Sequence, residues 1–278
     1  LKDYKYNLSG EIDNATFRLK NNLELSILNK KLSKLDFKKT KLEFNYDKKN
    51  KNFLSLEGVY NLNGNKYENF TLKNDLNSKN NSTNLDFDIS EEILINLLNY
   101  QKESKKKANI VAEFNSKKNL LNIKRFIYTQ NNNKISVENL VFDKKNSQLK
   151  KIKKISINTF KDSNENNSFD IIFGKKIIIK GNSFDATNLI KSISNKKKNN
   201  YLKTINKEIE INLENIFTKL SIPLNKFNLL GKIEKGKFVK ILSKSEFPDK
   251  KYLDISLKKD LKSKKKILEI FTNYPKAL

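Results

Sequence analysis

The sequence predicts a mainly β protein: a long antiparallel meander forming an elongated, curled sheet or groove, with one or two short helices. Two observations support this fold. Apolar and polar residues alternate with a period of two over most of the chain, which is typical of strands with one buried face. Short turns rich in Asn and Asp, such as 131–133 and 162–167, separate the alternating runs and suit hairpin connections.

The alternation locates the strands in chain order. The segment 204–217 fits either a strand or a helix, and we interpret it as a strand that leads to a turn at Pro223. The other apolar positions with a period of two are Ala15, Phe17 and Leu19; Leu42, Phe44 and Tyr46; Leu54, Leu56, Gly58, Tyr60 and Leu62; Leu85, Phe87 and Ile89; Ile110, Ala112 and Phe114; Ile135 and Val137; Ile155 and Ile157; Phe169, Ile171 and Phe173; and Leu253, Ile255 and Leu257.

Two segments depart from the alternation and predict short helices. In 90–99 the apolar residues follow a helical spacing, and Ser90 is a candidate N-cap. In 185–193 the spacing is similar, with Asp185 as the candidate N-cap. Each segment precedes a basic linker, so we expect three parts: a β segment over 1–100, a second over 101–193, each ending in a helix, and a third over 194–278.

The composition excludes several classes of site. The chain contains no Cys and no His, so it has no zinc finger, no Ser-His-Asp triad and no Cys nucleophile. We therefore predict a non-enzymatic protein without a metal or cofactor. The most apolar runs are only as long as a strand, well short of the roughly 18 residues that a membrane-spanning helix needs.

The net charge of +26 comes almost entirely from lysine, since Arg18 and Arg125 are the only arginines. Proteins that read nucleic acids favour arginine, whose planar fork binds phosphates and bases in pairs of hydrogen bonds. The lysine runs at 105–107, 196–198 and 264–266 contain no aromatic residues that could stack on bases. We interpret the charge as a solvated surface and expect no nucleic-acid partner.

Two motifs carry weak chemical signals. The segment 231–238 approaches a phosphate-binding loop, but Phe238 stands where that loop needs Ser or Thr. The residues that follow it suit a strand. Asp86 and Asp88 share one side of a strand, opposite its apolar residues, and are interpreted as facing water.

The apolar strand faces allow two interpretations. They form either the closed core of a sandwich or barrel, or the lining of an open groove that shields an acyl chain without any catalytic residue. The alternation alone favours the closed core.

The second half of the chain resembles the AsmA-like family. A strand at 175–180 is followed by Gly181-Asn-Ser-Phe-Asp-Ala-Thr-Asn-Leu-Ile190, which resembles a recurring element of that family. The segments 228–238, 252–257 and 266–278 are similar to the family's later strands. The similarity covers roughly residues 170–278. The first 170 residues resemble the family only in their general sequence pattern.

The resemblance implies a piece of a large protein in the envelope of a Gram-negative bacterium. Such a protein is anchored in the inner membrane by a segment outside this chain, lies in the periplasm and conducts phospholipids toward the outer membrane. Other envelope proteins are possible partners. The alternatives are a structural or adhesive β-solenoid or surface protein, and a lysine-based nucleic-acid binder. From the alternation, the expected groove lining is Phe17, Leu19, Leu42, Phe44, Leu85, Phe87, Ile89, Phe169, Ile171, Phe173, Leu253, Ile255 and Leu257.

Overall fold

The structure, a computed structural model, forms two compact units built almost entirely from strands. Unit 1 comprises Leu1–Leu94 and Gln101–Ile152, and unit 2 comprises Ile95–Tyr100 and Lys153–Leu278. The mainly β prediction is confirmed, whereas the division into three parts stays a prediction. The residues described are 5–25, 27–28, 30–47, 52–62, 66–76, 81–146, 148–189, 205–219, 222–259 and 265–274.

Unit 1 contains an antiparallel sheet in which strands that follow one another along the chain pair. A small hairpin, β6 and β7, of which Ile95 and Tyr100 are counted with unit 2, forms a separate two-stranded sheet, so that β5 pairs with β8. The strands are β1 (Lys5–Leu25), β2 (Lys30–Asp47), β3 (Phe53–Leu62), β4 (Glu68–Asp75), β5 (Ser82–Ile89), β6 (Ile93–Ile95), β7 (Tyr100–Lys102), β8 (Ala108–Lys117), β9 (Leu120–Gln130), β10 (Asn133–Asp143) and β11 (Gln148–Lys151).

A β-bulge in β2 keeps the apolar residues of that strand on one face. The register between β2 and β3 shifts between Lys38 and Lys41, and Lys39 adopts a positive φ of 46°. The extra residue reverses the alternation, so that Phe37 and Leu42 lie on the same face although their numbers differ in parity. Gly58 of β3 lies against this bulge and leaves room for it.

The helix predicted over 90–99 is wrong. The segment forms β6 and then a single 3-10 turn, Asn96–Leu98, which Asn99 ends in the left-handed conformation. The Leu94 N–H donates to the Ile27 carbonyl at 2.9 Å. This long-range bond and the β-branched Ile93 and Ile95 favour an extended chain over a helix. The Ser90 hydroxyl caps no helix, because its oxygen has no hydrogen-bond partner among the described residues.

Unit 2 contains an eight-stranded sheet with one exception to the predicted antiparallel order. β14 and β15 pair in parallel, and the other neighbouring strands pair antiparallel. The predicted strand before Pro223 is confirmed as β15. The strands are β12 (Lys154–Lys161), β13 (Asn164–Phe173), β14 (Ile177–Asp185), β15 (Lys207–Phe217), β16 (Leu224–Glu234), β17 (Lys237–Phe247), β18 (Lys251–Lys259) and β19 (Lys266–Thr272); a 3-10 turn, Pro248–Lys250, precedes β18.

The second predicted helix, 185–193, lies partly outside the described residues, which end at 189. Its described part comprises the last residue of β14, Asp185, a turn at 187–188, and Leu189, the single residue with a helical assignment before the described range ends. Asp185 makes the capping bond that the sequence predicts, since its Oδ1 accepts a hydrogen bond from the Thr187 N–H at 3.1 Å. No α-helix is among the elements formed by the described residues, so the prediction of one or two short helices is not confirmed.

Candidate functional site

The apolar residues of unit 1 form continuous rows across its sheet. Directly paired residues on neighbouring strands point to the same face, so the register traces each row. One row contains Leu42, Leu56, Leu72, Leu85, Ala112 and Phe126. The next contains Gly58, Phe70, Phe87, Ile110, Tyr128 and Ile135.

The opposite face of the same strands is polar. A row across it contains Glu43, Ser55, Lys73, Asn84, Glu113, Arg125 and Glu138. Asp86 lies on this face and is exposed, as expected, and its Oδ1 accepts from Asn109 at 2.7 Å. Asp88 is instead buried and paired with Lys107 at 2.7 Å, and the hydrogen bond that Lys107 donates to Asp88 raises the pKa of Lys107. The interpretation that both carboxylates face water therefore holds only for Asp86.

Unit 2 repeats this arrangement on its own sheet. One apolar row contains Ile155, Ile171, Ile179, Ile211, Leu229, Ser243, Ile255 and Ile270. A second contains Phe173, Ile177, Ile209, Gly231, Ile241, Leu257 and Leu268. Small serines interrupt the apolar surface near Leu253 and Ile255, where the hydroxyl of Ser245 donates to the Leu253 carbonyl at 2.9 Å.

The thirteen residues expected to line a groove lie on these two apolar faces, one set in each unit. Register places Phe17, Leu42, Phe44, Leu85, Phe87 and Ile89 on the apolar face of unit 1, and Leu19 follows Phe17 by two residues on the same strand. Register places Phe169, Ile171, Phe173, Leu253, Ile255 and Leu257 on that of unit 2. Their exposure ranges from 58% for Phe17 to 4% for Ile89. Their role as a lining stays a prediction.

Aromatic residues pack against each other at the centre of the unit 1 face. Phe70 contacts Phe37 and Tyr60 edge to face, with ring centroids 5.3 and 6.0 Å apart, and Tyr60 contacts Phe87 in the same way at 5.9 Å. The Tyr60 hydroxyl donates to the Asp88 carbonyl at 2.6 Å. Burial, with the nearby carboxylates, raises the pKa of Tyr60 well above its ordinary value, so this hydroxyl stays neutral.

A concavity of about 620 Å³ opens beside this aromatic cluster. Tyr60, Leu62 and Ile89 form its apolar wall, and Ser90 and Glu68 add polar groups. Neither Glu68 Oε1 nor Ser90 Oγ has a hydrogen-bond partner among the described residues. Glu68 Oε1 forms an ion pair with the Lys66 ammonium group at 3.6 Å, so the concavity combines an apolar wall with one buried oxygen, Ser90 Oγ, that is open to a donor.

A second concavity, of about 910 Å³, lies at one end of the unit 2 sheet. We call it the lysine concavity. It is lined by Lys175, Lys176, Asn206, Lys207, Glu208, Lys232, Ile233, Glu234, Lys235, Lys237, Val239 and Lys266. Seven of these residues are lysines and two are glutamates, so the surface has an excess of positive charge.

Topology brings these lysines together, although no pattern in the sequence indicates it. Lys175 lies in the turn between β13 and β14, Lys207 begins β15, Lys237 begins β17 and Lys266 begins β19. Because β14 and β15 are parallel, their first residues meet at the same end of the sheet. The lysine run 196–198 and the first residue of the run 264–266, Lys264, lie outside the described residues. The segment 231–238 is not a phosphate-binding loop, since Gly236 occupies a hairpin turn with φ 72° and β17 follows it.

Neither a metal centre nor a membrane-spanning helix is found among the described residues. No three acidic residues there form a group that could hold a metal ion. None of the helices in the described part of the chain has the length and apolar character needed to cross a membrane.

Comparison of the chain with protein-family models, with curated proteins and with solved structures finds no match in any of the three. The AsmA-like resemblance of residues 170–278 therefore stays a prediction from the sequence.

Proposed function

We propose that this chain is a segment of a lipid-conducting envelope protein, in which the apolar β-faces shield the acyl chains of phospholipids as they move between membranes. The observation that carries the proposal is the length of the apolar rows, which cross six strands in unit 1 and, with an interruption at Ser243, eight in unit 2. A surface of this length matches a long, flexible hydrocarbon better than a compact ligand.

The physical basis is the removal of hydrocarbon from water. Each methylene group that leaves water for an apolar surface contributes about 0.8 kcal/mol, so even partial coverage of an acyl chain holds it firmly. The rows offer no specific polar anchor along most of their length, which lets a chain slide. The polar face of each sheet stays in water, and no covalent chemistry is needed.

The location and partners follow from the AsmA-like resemblance. We propose a periplasmic protein held at the inner membrane by a segment outside this chain, where it supports assembly of the outer membrane. Phospholipid is the proposed ligand, and other envelope proteins are proposed partners.

Site-specific photo-crosslinking tests the proposal. A benzophenone amino acid replaces Phe87 on the apolar face of unit 1, Phe173 on that of unit 2, or Asp86 on the polar face. After illumination in cells or with vesicles, lipid adducts are expected at 87 and 173 and not at 86. Equal labelling at all three positions, or labelling at none, would overturn the proposal.

A structural or adhesive β-protein is the second candidate. The aromatic contacts of Phe70, and the burial of Ile89 and Tyr128, favour it because they show apolar side chains that cover one another. In that case the face is a core and contacts no lipid. The same crosslinker at 87 would then form adducts only within the chain.

The third candidate, nucleic-acid binding through lysine, is tested by a filter-binding titration against salt. Binding carried by phosphate contacts weakens steeply with salt. A slope near zero would exclude this candidate.

A further inference from the structure

We propose that the lysine concavity of unit 2 binds the phosphate of an anionic ligand, either a phospholipid headgroup or a soluble phosphate compound. The inference deepens the proposed function, because it assigns a place for the polar end of a lipid whose acyl chain lies on the adjoining apolar face. The site itself depends only on charge and geometry, and it is tested separately.

Three of the lysines in the concavity have no hydrogen-bond or ion-pair partner for their ammonium groups within the part of the chain that the structure describes. Lys175, Lys235 and Lys237 form no hydrogen bond or ion pair through their side chains with the described residues. The remaining lysines are engaged by the protein. Lys176 pairs with Glu210 and Lys207 with the Gly174 carbonyl, Lys232 pairs with Glu234 at 2.8 Å, and Lys266 donates to the Phe238 carbonyl at 2.6 Å.

The glutamates of the concavity do not neutralise these three lysines. Glu234 is paired with Lys232, which lowers the pKa of Glu234 and raises that of Lys232. Glu208 lies directly across from Lys232 on the neighbouring strand. Glu234 also attracts Lys235 electrostatically, but both carboxylates act mainly on Lys232, so the positive charge of Lys175, Lys235 and Lys237 is left largely for a ligand.

The fold places all three lysines around this one concavity. Lys235 lies in the hairpin turn before β17, with a positive φ of 50°, and Lys237 is the first residue of β17. Lys175 lies in the turn before β14, across the parallel strand pair. Phosphate oxygens accept hydrogen bonds from ammonium groups that approach from several directions, which suits lysine as a point charge.

The apolar row closest to this end of the sheet supplies the other half of a lipid site. Phe173 and Ile177 flank the turn that carries Lys175, and Ile209 follows Lys207 by two residues on β15. Lys207 is paired with Ile233, which lines the concavity. A phosphate in the concavity would therefore have an apolar surface within a few residues of it.

Vesicle binding by a charge-matched pair of triple variants tests the inference. The site variant carries Lys175→Gln, Lys235→Asn and Lys237→Gln. The control variant carries Lys117→Gln, Lys118→Asn and Lys134→Gln, which are exposed lysines of unit 1 without side-chain partners among the described residues. Lys118, like Lys235, occupies a hairpin turn with φ 50°, and Asn tolerates this conformation.

The two variants lose the same number of positive charges. A comparison of their affinities therefore distinguishes binding at this site from the general attraction of a basic protein to anionic vesicles. Each lysine near an anionic membrane strengthens binding several-fold. Sedimentation with phosphatidylglycerol vesicles should show affinity on the order of 100-fold lower for the site variant and only a few-fold lower for the control. Equal losses in both variants would overturn the inference. Circular dichroism verifies that both variants fold.

Inorganic phosphate distinguishes the two sources of the ligand. If inorganic phosphate shifts NMR signals of the original chain but not of the site variant, and the original chain does not bind vesicles, the site binds a soluble phosphate. Loss of vesicle binding in the same variant assigns it to a headgroup. Binding of an oligonucleotide alone, with neither phosphate nor vesicles, would overturn the inference. The crosslinking position Phe87 lies in unit 1. Absence of lipid adducts there would contradict the acyl-chain proposal and would not bear on the phosphate site of unit 2.

Discussion

Gly58 and Thr40 lie so close on neighbouring strands that no side chain fits between them. A Cβ atom added to Gly58 would lie 2.6 Å from the Thr40 Oγ1 and 2.7 Å from the Thr40 Cα. Thr40 is buried, and its hydroxyl donates to the Lys38 carbonyl at 3.1 Å. The glycine thus accommodates the bulge that returns Phe37 and Leu42 to one face.

Replacing Gly58 with alanine should therefore destabilise unit 1. Backbone atoms on the facing strand must move, and we expect the free energy of unfolding to fall by about 2–3 kcal/mol. Urea unfolding followed by circular dichroism measures the change. The matched control is Gly10→Ala, because a Cβ at Gly10 meets nothing within 4 Å. A loss for Gly58→Ala no larger than that of the control would contradict the role of the bulge.

The apolar faces were predictable because the alternation of side chains is local. Leu85 and Phe87 share a face, with Asp86 opposite, in any register of β5. The bulge at Lys39 was not predictable, since it appears only when β2 is paired with β3. The strand at Ile93–Ile95 likewise depends on a bond from Leu94 to the distant Ile27.

The lysine concavity was beyond prediction for a similar reason. Lys175 and Lys237 lie 62 positions apart, and only the strand order of unit 2 brings them to one end of the sheet. The parallel pair of β14 and β15 contributes to this convergence. A meander with only antiparallel pairs, as the sequence predicts, would have placed the start of β15 at the other end.

Asn167 is a buried residue of unit 2 whose side chain bonds to three different segments, and it should be essential for the stability of the unit. Its side chain is fully buried, donates to the Leu98 carbonyl at 2.7 Å and to Thr159 Oγ1 at 2.8 Å, and accepts from the Asp185 N–H at 2.9 Å. Asn167→Ala removes these three buried hydrogen bonds and leaves Thr159 Oγ1 only its bond to Asn166 Oδ1, so we expect the free energy of unfolding in urea to fall by about 3 kcal/mol. The exposed Asn84→Ala, on the polar face of unit 1, should change stability by less than about 0.5 kcal/mol.

Asp185 should make stability depend on pH in the acid range. Burial acts to raise the pKa of its carboxyl, but hydrogen bonds from Thr187 and Asn99 outweigh it and hold the pKa below its ordinary value. The unfolded chain then binds the proton more readily than the folded one. The stabilisation is complete above the unfolded pKa, near 4, and is lost as the pH falls through the lower, folded pKa.

Urea unfolding of Asp185→Asn at pH 6 and pH 3 measures this contribution. The variant should be clearly less stable than the original chain at pH 6, and the difference should shrink at pH 3. The control for the loss of one carboxylate is Asp254→Asn, because Asp254 forms no hydrogen bond or ion pair through its side chain among the described residues. A constant difference for Asp185→Asn would contradict the predicted linkage.

Leu268 and Phe271 offer a direct test of which face of unit 2 contacts lipid. Both lie on β19 and both are 59% exposed. Leu268 pairs with Leu257 on the apolar face, whereas Phe271 pairs with Asp254 on the opposite one. Because both side chains are exposed, replacing either with glutamine should change the free energy of unfolding by less than about 0.5 kcal/mol.

Binding of a fluorescent fatty acid should distinguish the two variants. A leucine buried against hydrocarbon contributes roughly 1.5 kcal/mol, so Leu268→Gln should weaken binding by up to about tenfold. Phe271→Gln should leave the affinity unchanged, even though it removes the larger apolar side chain. If both variants bind as the original chain does, β19 lies outside the lipid surface. If Phe271→Gln alone weakens binding, the ligand contacts the face opposite to the one proposed here.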